Sequence, residues 1–220
     1  MTTAHHHPGE DLLWDYYRGA LVPGLALAVA THIDLCGHCR GDMKLFDAVG
    51  GALLAEIEDA PMSDNALDLA LARIERPDTD DMPRATVRTP AFLEGFELPE
   101  SLKNAAIKDR YWAAPGVWMA PVVVPDAPKG SKTFLMHVKA GMEMPAHTHR
   151  GLEITVMLAG RFKDHKGSYG RGDIAICDDN DDRHSPAMEG DEDCLCLVAQ
   201  EAAIVPQSFW AWALQPFARI

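Results

Sequence analysis

Histidine and cysteine gather at a few places along this chain, and the tightest gathering is His32-Ile-Asp-Leu-Cys36-Gly-His-Cys39. On a helix, residues four apart share a face, so His32 and Cys36 point the same way. Cys39 lies one further turn along, and Gly37 lets the chain close around a cation. Three soft or borderline donors so close together suit tetrahedral zinc, which then needs one more ligand. The N-terminal His5-His6-His7 run supplies candidates for it, and His38 is a further one. Two other readings of the same residues are small cysteines filling a core and a thioredoxin-like redox pair. The redox pair lacks its expected strand-then-helix context.

A second constellation lies in the other half of the chain. In Gly141-Met-Glu-Met-Pro-Ala-His147-Thr-His149-Arg-Gly-Leu-Glu153 the two histidines are two residues apart. On an extended segment they face one side, and Glu153, at the start of the next strand, can bring a carboxylate to the same cation. His184, after Gly172-Asp-Ile-Ala-Ile-Cys-Asp, is the candidate third imidazole. Three histidines and a glutamate form a mixed nitrogen and oxygen set that accepts zinc, iron, manganese, nickel or cobalt, with zinc the first choice. Cys194 and Cys196, also two apart on a predicted strand, are a candidate redox pair or plain core filling. Cys177 reads as structural, and His137 and His165 fit no motif.

The elements that must position these residues change character near residue 80. Leu12, Leu13, Tyr16 and Tyr17 repeat with helical spacing, as do Leu25, Val29, Ile33 and Cys36. A third stretch, Met43 to Glu58, sets Phe46, Val49, Leu53, Leu54 and Ile57 on one face. A fourth opens on Ser63 as N-cap, carries Leu67, Leu71 and Ile74, and stops before Pro77. Arg76 to Arg84 lacks apolar periodicity, holds two prolines and reads as connecting chain. Later, Val117 to Val124, Lys132 to Lys139, Glu153 to Phe162, Asp173 to Ile176 and Cys194 to Ala199 look like strands, with glycine and Asp/Asn turns between several of them. The expectation is an α + β chain of two domains: a small four-helix metal-binding bundle at 1–78, a linker at 79–105 and a jelly-roll-like β-barrel at 106–220.

Composition narrows the function. A net charge of −13 repels nucleic-acid phosphates and argues against direct DNA or RNA binding. The longest apolar run, Leu21 to Ala30, is broken by Pro23 and Gly24, well short of the ~20 residues that cross a bilayer. With no basic segment followed by an apolar core at the N-terminus, the expectation is a cytoplasmic protein without a membrane partner. Five cysteines, an odd number in close pairs, suit metal or redox chemistry better than structural crosslinks.

At these residues two family resemblances meet. A short four-helix domain with His-x-x-x-Cys-x-x-Cys on its second helix resembles the zinc-binding anti-sigma family, in which an upstream histidine completes the site. The spacing to Leu12-Leu13 selects His7 for that position, with His6 as runner-up. The stretch Gly141 to Gly160 is similar to the first cupin motif at every fixed position. The second motif departs from the pattern: Asp179 and Asp181 replace the usual proline and glycine before His184, and Met188 stands in place of asparagine. A zinc anti-sigma domain followed by a cupin resembles the ChrR family over nearly the whole chain, to the closing Gln215-Pro-Phe-Ala-Arg-Ile.

The resemblance implies a protein that performs no catalysis. It would bind an extracytoplasmic-function sigma factor, pack Ser63 to Arg76 against it, and block its contacts with RNA polymerase. In that family the cupin is needed for the response to singlet oxygen or related oxidative stress. The reading from another class is a cupin-type metal-dependent dioxygenase with a helical accessory domain, although no substrate pocket or acid/base pair is evident. A metal-storage or metal-sensing module without a sigma partner is a third.

Overall fold

The structure, a computed structural model, describes residues 4–75, 88–145, 147–148, 151–179, 185–202 and 205–206. The first half is helical: α1 is Glu10–Tyr17, α2 Pro23–Leu35, α3 Gly37–Ala55 and α4 Ala66–Ile74. Glu10 and Asp11 sit in the first turn of α1, where carboxylates oppose the positive end of the helix dipole. Pro23 opens α2, a position where its missing N–H costs nothing.

Helix α2 is apolar on nearly every side because it is covered from two directions. It touches α1 and α3 on one side, and it lies across two strands of the barrel sheet, β6 (Glu153–Ala159) and β11 (Cys194–Gln200), on the other. Leu25, Ala28, Val29, Thr31 and His32 are buried there. Gly24 permits the approach, since a Cβ at that position would stand 2.5 Å from Thr133 Oγ1.

The sequence pattern runs the second helix through Cys36 and begins the third at Met43, and the structure corrects both. The chain breaks at Cys36, whose backbone is extended (φ −108°, ψ 112°), and α3 already starts at Gly37. The His-x-x-x-Cys-x-x-Cys motif therefore spans a helix–helix junction, not one helix. Four helices do form, but α4 buries no side chain, and its N-cap is Asn65 in place of Ser63. Thus α1, α2 and α3 pack together, and α4 takes no part in their core.

Residues 88–105 contain a 3-10 turn at Ala91–Leu93 and a short helix α5, Glu100–Lys103. Leu93, Leu98 and Leu102 from this stretch enter the same core as Leu25 and Val29.

The second half is antiparallel β. The strands preceding β6 are β1 (Ala106–Ile107), β2 (Tyr111–Ala114), β3 (Val117–Val123), β4 (Lys132–Val138) and β5 (His147–Thr148). After β6 come β7 (Arg161–Lys163), β8 (Ser168–Gly170), β9 (Ile174–Cys177) and β10 (Ala187–Met188), then β11 and finally β12 (Val205–Pro206). The large sheet runs β1-β3-β4-β11-β6-β9, with β2 also paired to β3; a smaller sheet runs β10-β7-β8, and β12 pairs with β5. Gly160, at φ +68°, divides the expected Glu153–Phe162 strand into β6 and β7.

Because side chains alternate along a strand, the large sheet has two apolar faces. Trp118, Leu135, Leu195, Leu197, Ile154 and Val156 face the helices. Met119, Phe134, Met157, Cys194, Cys196 and Val198 face inward, under Phe162 and Tyr169 of the small sheet. No helix among the described residues is long and apolar enough to cross a membrane.

Candidate metal centre

At the α2–α3 break, side chains from four places along the chain converge. His32 comes from the last turn of α2, Cys36 from the junction, Cys39 from the first turn of α3, and His7 from the segment before α1. One donor atom from each lies within 4.8 Å of all the others. His32 Nε2 is 3.3 Å from Cys39 Sγ, and His7 Nδ1 is 3.3 Å from Cys36 Sγ and 3.6 Å from Cys39 Sγ. Zinc bonds of the usual lengths at a tetrahedral angle set nitrogen and sulfur about 3.5 Å apart. The donor set and its spacing therefore fit a tetrahedral cation.

Electrostatics favour the same occupant. Burial is the main reason that the His32 imidazole is held down to about 4, although its bond to a backbone carbonyl works the other way. The ring is therefore neutral, the form that binds metal. Burial also pushes the Cys39 thiol up to about 12, with Cys36 beside it adding to the effect. Without a cation, a thiolate at Cys39 is unfavourable; a divalent ion reverses that balance. His7 is lowered by burial first and by His38 second.

The barrel completes the surroundings of this cluster. His32 Nδ1 lies 2.8 Å from the carbonyl oxygen of Gly172, in the turn between β8 and β9. That bond leaves Nε2 facing the cysteines, as a metal-binding histidine is usually oriented. Next in the same turn, the Asp173 carboxylate accepts the backbone N–H groups of His5, His6 and Gly170, at 2.5, 2.9 and 2.8 Å. Burial works to raise this carboxyl, but the backbone donors prevail and hold it below its usual range. Asp173 thus pins the segment that carries His7, and nothing in the local sequence marks it for that task.

The other candidates for the fourth position go elsewhere. His6 turns to the barrel, with Nε2 3.1 Å from Ser168 O and its ring 4.3 Å from that of Tyr169. His38 is exposed and lies 3.6 Å from Asp42 across one helical turn.

Of the second constellation, Glu153 is buried on the inner face of β6 and accepts a hydrogen bond from Gln200 Nε2. His147 lies in β5, and His149 and His184 fall outside the described residues. Cys194 and Cys196 face the same interior as free thiols. Burial pushes Cys194 up to about 12 and Cys196 well above the ordinary thiol range. His137 stacks on Trp118 at 5.0 Å and pairs with Asp193 at 3.2 Å, on the helix side of the sheet and away from either constellation.

A helical unit with a histidine and cysteine cluster able to hold a metal, seated on an antiparallel β-barrel, defines a two-part class, and comparison with known proteins narrows it. The family model for the ChrR cupin-like domain matches residues 104–204. The anti-sigma-E factor ChrR of Cereibacter sphaeroides is 34% identical over 220 residues, covering 99% of this chain and 100% of that protein. A chain in the crystal structure of Rhodobacter sphaeroides SigE in complex with the anti-sigma ChrR is 33% identical. It superposes with a TM-score of 0.70 over 90% of this chain and 99% of its own length. The chain belongs to the ChrR anti-sigma family.

Proposed function

We propose that this protein holds an extracytoplasmic-function sigma factor in the cytoplasm, keeps it from RNA polymerase, and releases it under singlet oxygen or related oxidative stress sensed through the cupin. The observation that carries the reading is the apolar surface that the helical half leaves in solvent. Leu53, Leu54 and Ile57 near the end of α3 and Leu67, Leu71 and Ile74 on α4 are all exposed. A soluble chain rarely leaves such a set uncovered without a partner. The ChrR relative of known structure is itself a complex with SigE.

In this reading the division of labour follows residues 1–78, 79–105 and 106–220. Zinc, bound by His7, His32, Cys36 and Cys39, would supply a four-way crosslink. The chain's own residues do the rest: Gly172 O orients His32, Asp173 holds the His7 segment, and the α2–α3 junction sets the direction in which α3 leaves the barrel. The buried carboxylate of Glu153, with His147, His149 and His184, would take a divalent cation in the barrel, zinc before iron, manganese or nickel.

The test is affinity purification of the full-length protein from its own cells, with zinc measured in the same sample. The expected result is a sigma factor recovered in roughly stoichiometric amount with the zinc-loaded protein. Zinc-loaded protein that recovers no sigma factor overturns the reading.

A further inference from the structure

Six of the ten methionines in the chain belong to the inner-face cluster of the barrel: Met119 and Met157 fully buried, Met136, Met142, Met144 and Met188 partly so. Strand register aligns three of them. Met119 on β3 stands opposite Met136 on β4, Met136 opposite Cys196 on β11, and Cys196 opposite Met157 on β6. Directly opposed residues on one sheet face have Cβ atoms about 5 Å apart. Four sulfur side chains therefore form an unbroken row across four adjacent strands. Two residues on along β6 from Met157 is Thr155, and two further is Glu153, which looks into the same interior.

The same strands carry the helix contact on their other side. Leu195 and Leu197 flank Cys196, Val156 and Leu158 flank Met157, and all four belong to the core shared with α2. One sheet thus presents a row of sulfur inward and the seat of α2 outward.

We propose that Met119, Met136 and Met157 are an oxidation site. A small neutral oxidant entering the barrel converts these thioethers to sulfoxides, and the altered inner face loosens α2 on the outer one. The inference rests on the anti-sigma reading only for the biological use of that loosening. The thioethers are the reactive sulfurs of the row, because a thiol reacts as its thiolate and burial suppresses that form in Cys196.

With a hydroperoxide, the sulfur lone pair attacks one peroxide oxygen. The S–O bond forms as the O–O bond breaks, the sulfur loses two electrons, and the other oxygen leaves with the protons as water or an alcohol. With singlet dioxygen, sulfur adds the molecule as a persulfoxide whose outer oxygen passes to a second thioether. One O2 then yields two sulfoxides with nothing released, and the opposed Met119 and Met136 supply the two sulfurs. Either route puts a polar, chiral group into an apolar interior.

The experiment treats the full-length protein in two arms, one with hydrogen peroxide and one with a photosensitiser and light. Peptide mass spectrometry then maps each gain of about 16 Da, one oxygen per thioether. Met62, 82% exposed on the chain before α4, reports the dose. Hydrogen exchange of residues 23–35 reports the seating of α2. The expected result is oxygen on the row in at least one arm, with loss of α2 protection that grows with the dose. The variant Met119→Leu/Met136→Leu/Met157→Leu, which keeps apolar volume, should retain that protection at equal Met62 oxidation. Met136→Leu alone serves if the triple variant does not fold.

A response in the light arm alone identifies singlet dioxygen, and in the peroxide arm alone a hydroperoxide; both support the site. Oxygen confined to Met62 and other residues off the row overturns the proposal. So does a row oxidised without change in α2, or equal loss of protection in variant and wild type. Sigma capture by the untreated protein is scored separately, so failure of the anti-sigma reading leaves this result standing.

Discussion

Leu25 and Leu54 are leucines on neighbouring helices of one short helical region, yet the first is 2% exposed and the second 69%. Their surroundings explain the difference. Leu25 lies on α2, between the sheet and the other helices, whereas Leu54 is near the far end of α3, beyond the reach of the barrel. Contacts between α1 and α3 include those of Trp14 and Tyr17 with Phe46, midway along α3. Past that point α3 and α4 keep an apolar pattern, and nothing among the described residues covers Leu53, Leu54, Leu67, Leu71 or Ile74. The inner part of the helical region holds the fold together, and the outer part is the surface proposed for the partner.

That contrast can be broken most severely at the junction between the two parts. Cys36→Ser with Cys39→Ser should abolish zinc retention, measured by elemental analysis. Structural zinc sites of this type contribute about 10 kcal/mol or more to folding in small domains. Melting of the α2–α3 junction and loss of sigma capture are therefore expected together. Capture unchanged in this variant would show that the outer helices need no metal-held base.

Leu25→Ala should cost about 2–5 kcal/mol as a cavity in the shared core, read from denaturant midpoints. Asp173→Asn should cost about 1–3 kcal/mol by weakening three backbone hydrogen bonds. It should also raise the rate at which a chelator removes zinc, because the His7 segment loses its anchor.

Acid should weaken the metal-free inner part specifically. His32 is depressed in the fold from 6.5 to about 4. The unfolded chain therefore takes up the proton first, and stability falls as pH drops through that window. Asp173, also depressed from an ordinary 3.8, adds a contribution that is present above its unfolded value and disappears at still lower pH. Denaturant midpoints of the chelated protein from about pH 7 downward should decline first in the His32 window. A flat profile there would contradict the burial of a neutral imidazole.

The smallest stability effect is expected at the outer part. Leu54→Ala with Ile57→Ala should change folding stability by no more than about 0.5 kcal/mol, yet weaken sigma binding by about 1.4 kcal/mol or more, roughly tenfold. Titration calorimetry against the sigma factor, beside a thermal melt, separates the two. A large melt shift with unchanged binding would reverse the assignment of the two parts.

The two metal constellations were legible in the sequence to different depths. His32, Cys36 and Cys39 announce themselves because ligands to one ion in a small domain sit close along the chain. Their backbone is less legible: helical periodicity runs through Cys36, while the structure breaks the helix there. The hydroxyl signal of Ser63 likewise pointed to a cap that Asn65 occupies. Such errors arise because propensity registers a residue's neighbours in sequence and not the tertiary contacts that override them. Glu153 lies buried on an inner strand face, whereas the strand expected from Glu153 to Phe162 is divided at Gly160.

Residue types, spacing and periodicity determined by themselves that this is a helical histidine- and cysteine-bearing unit followed by a β-barrel. Those features are local, written within a turn of helix or a few residues of strand. Only the tertiary structure decided that His7 rather than His6 joins the cluster, that Gly172 and Asp173 of the barrel complete it, and that three methionines line up across the sheet. Each of those facts joins residues far apart in the chain. Such pairs are selected by the packing of α2 on the sheet and by strand register, and neither leaves a mark at short range in the sequence.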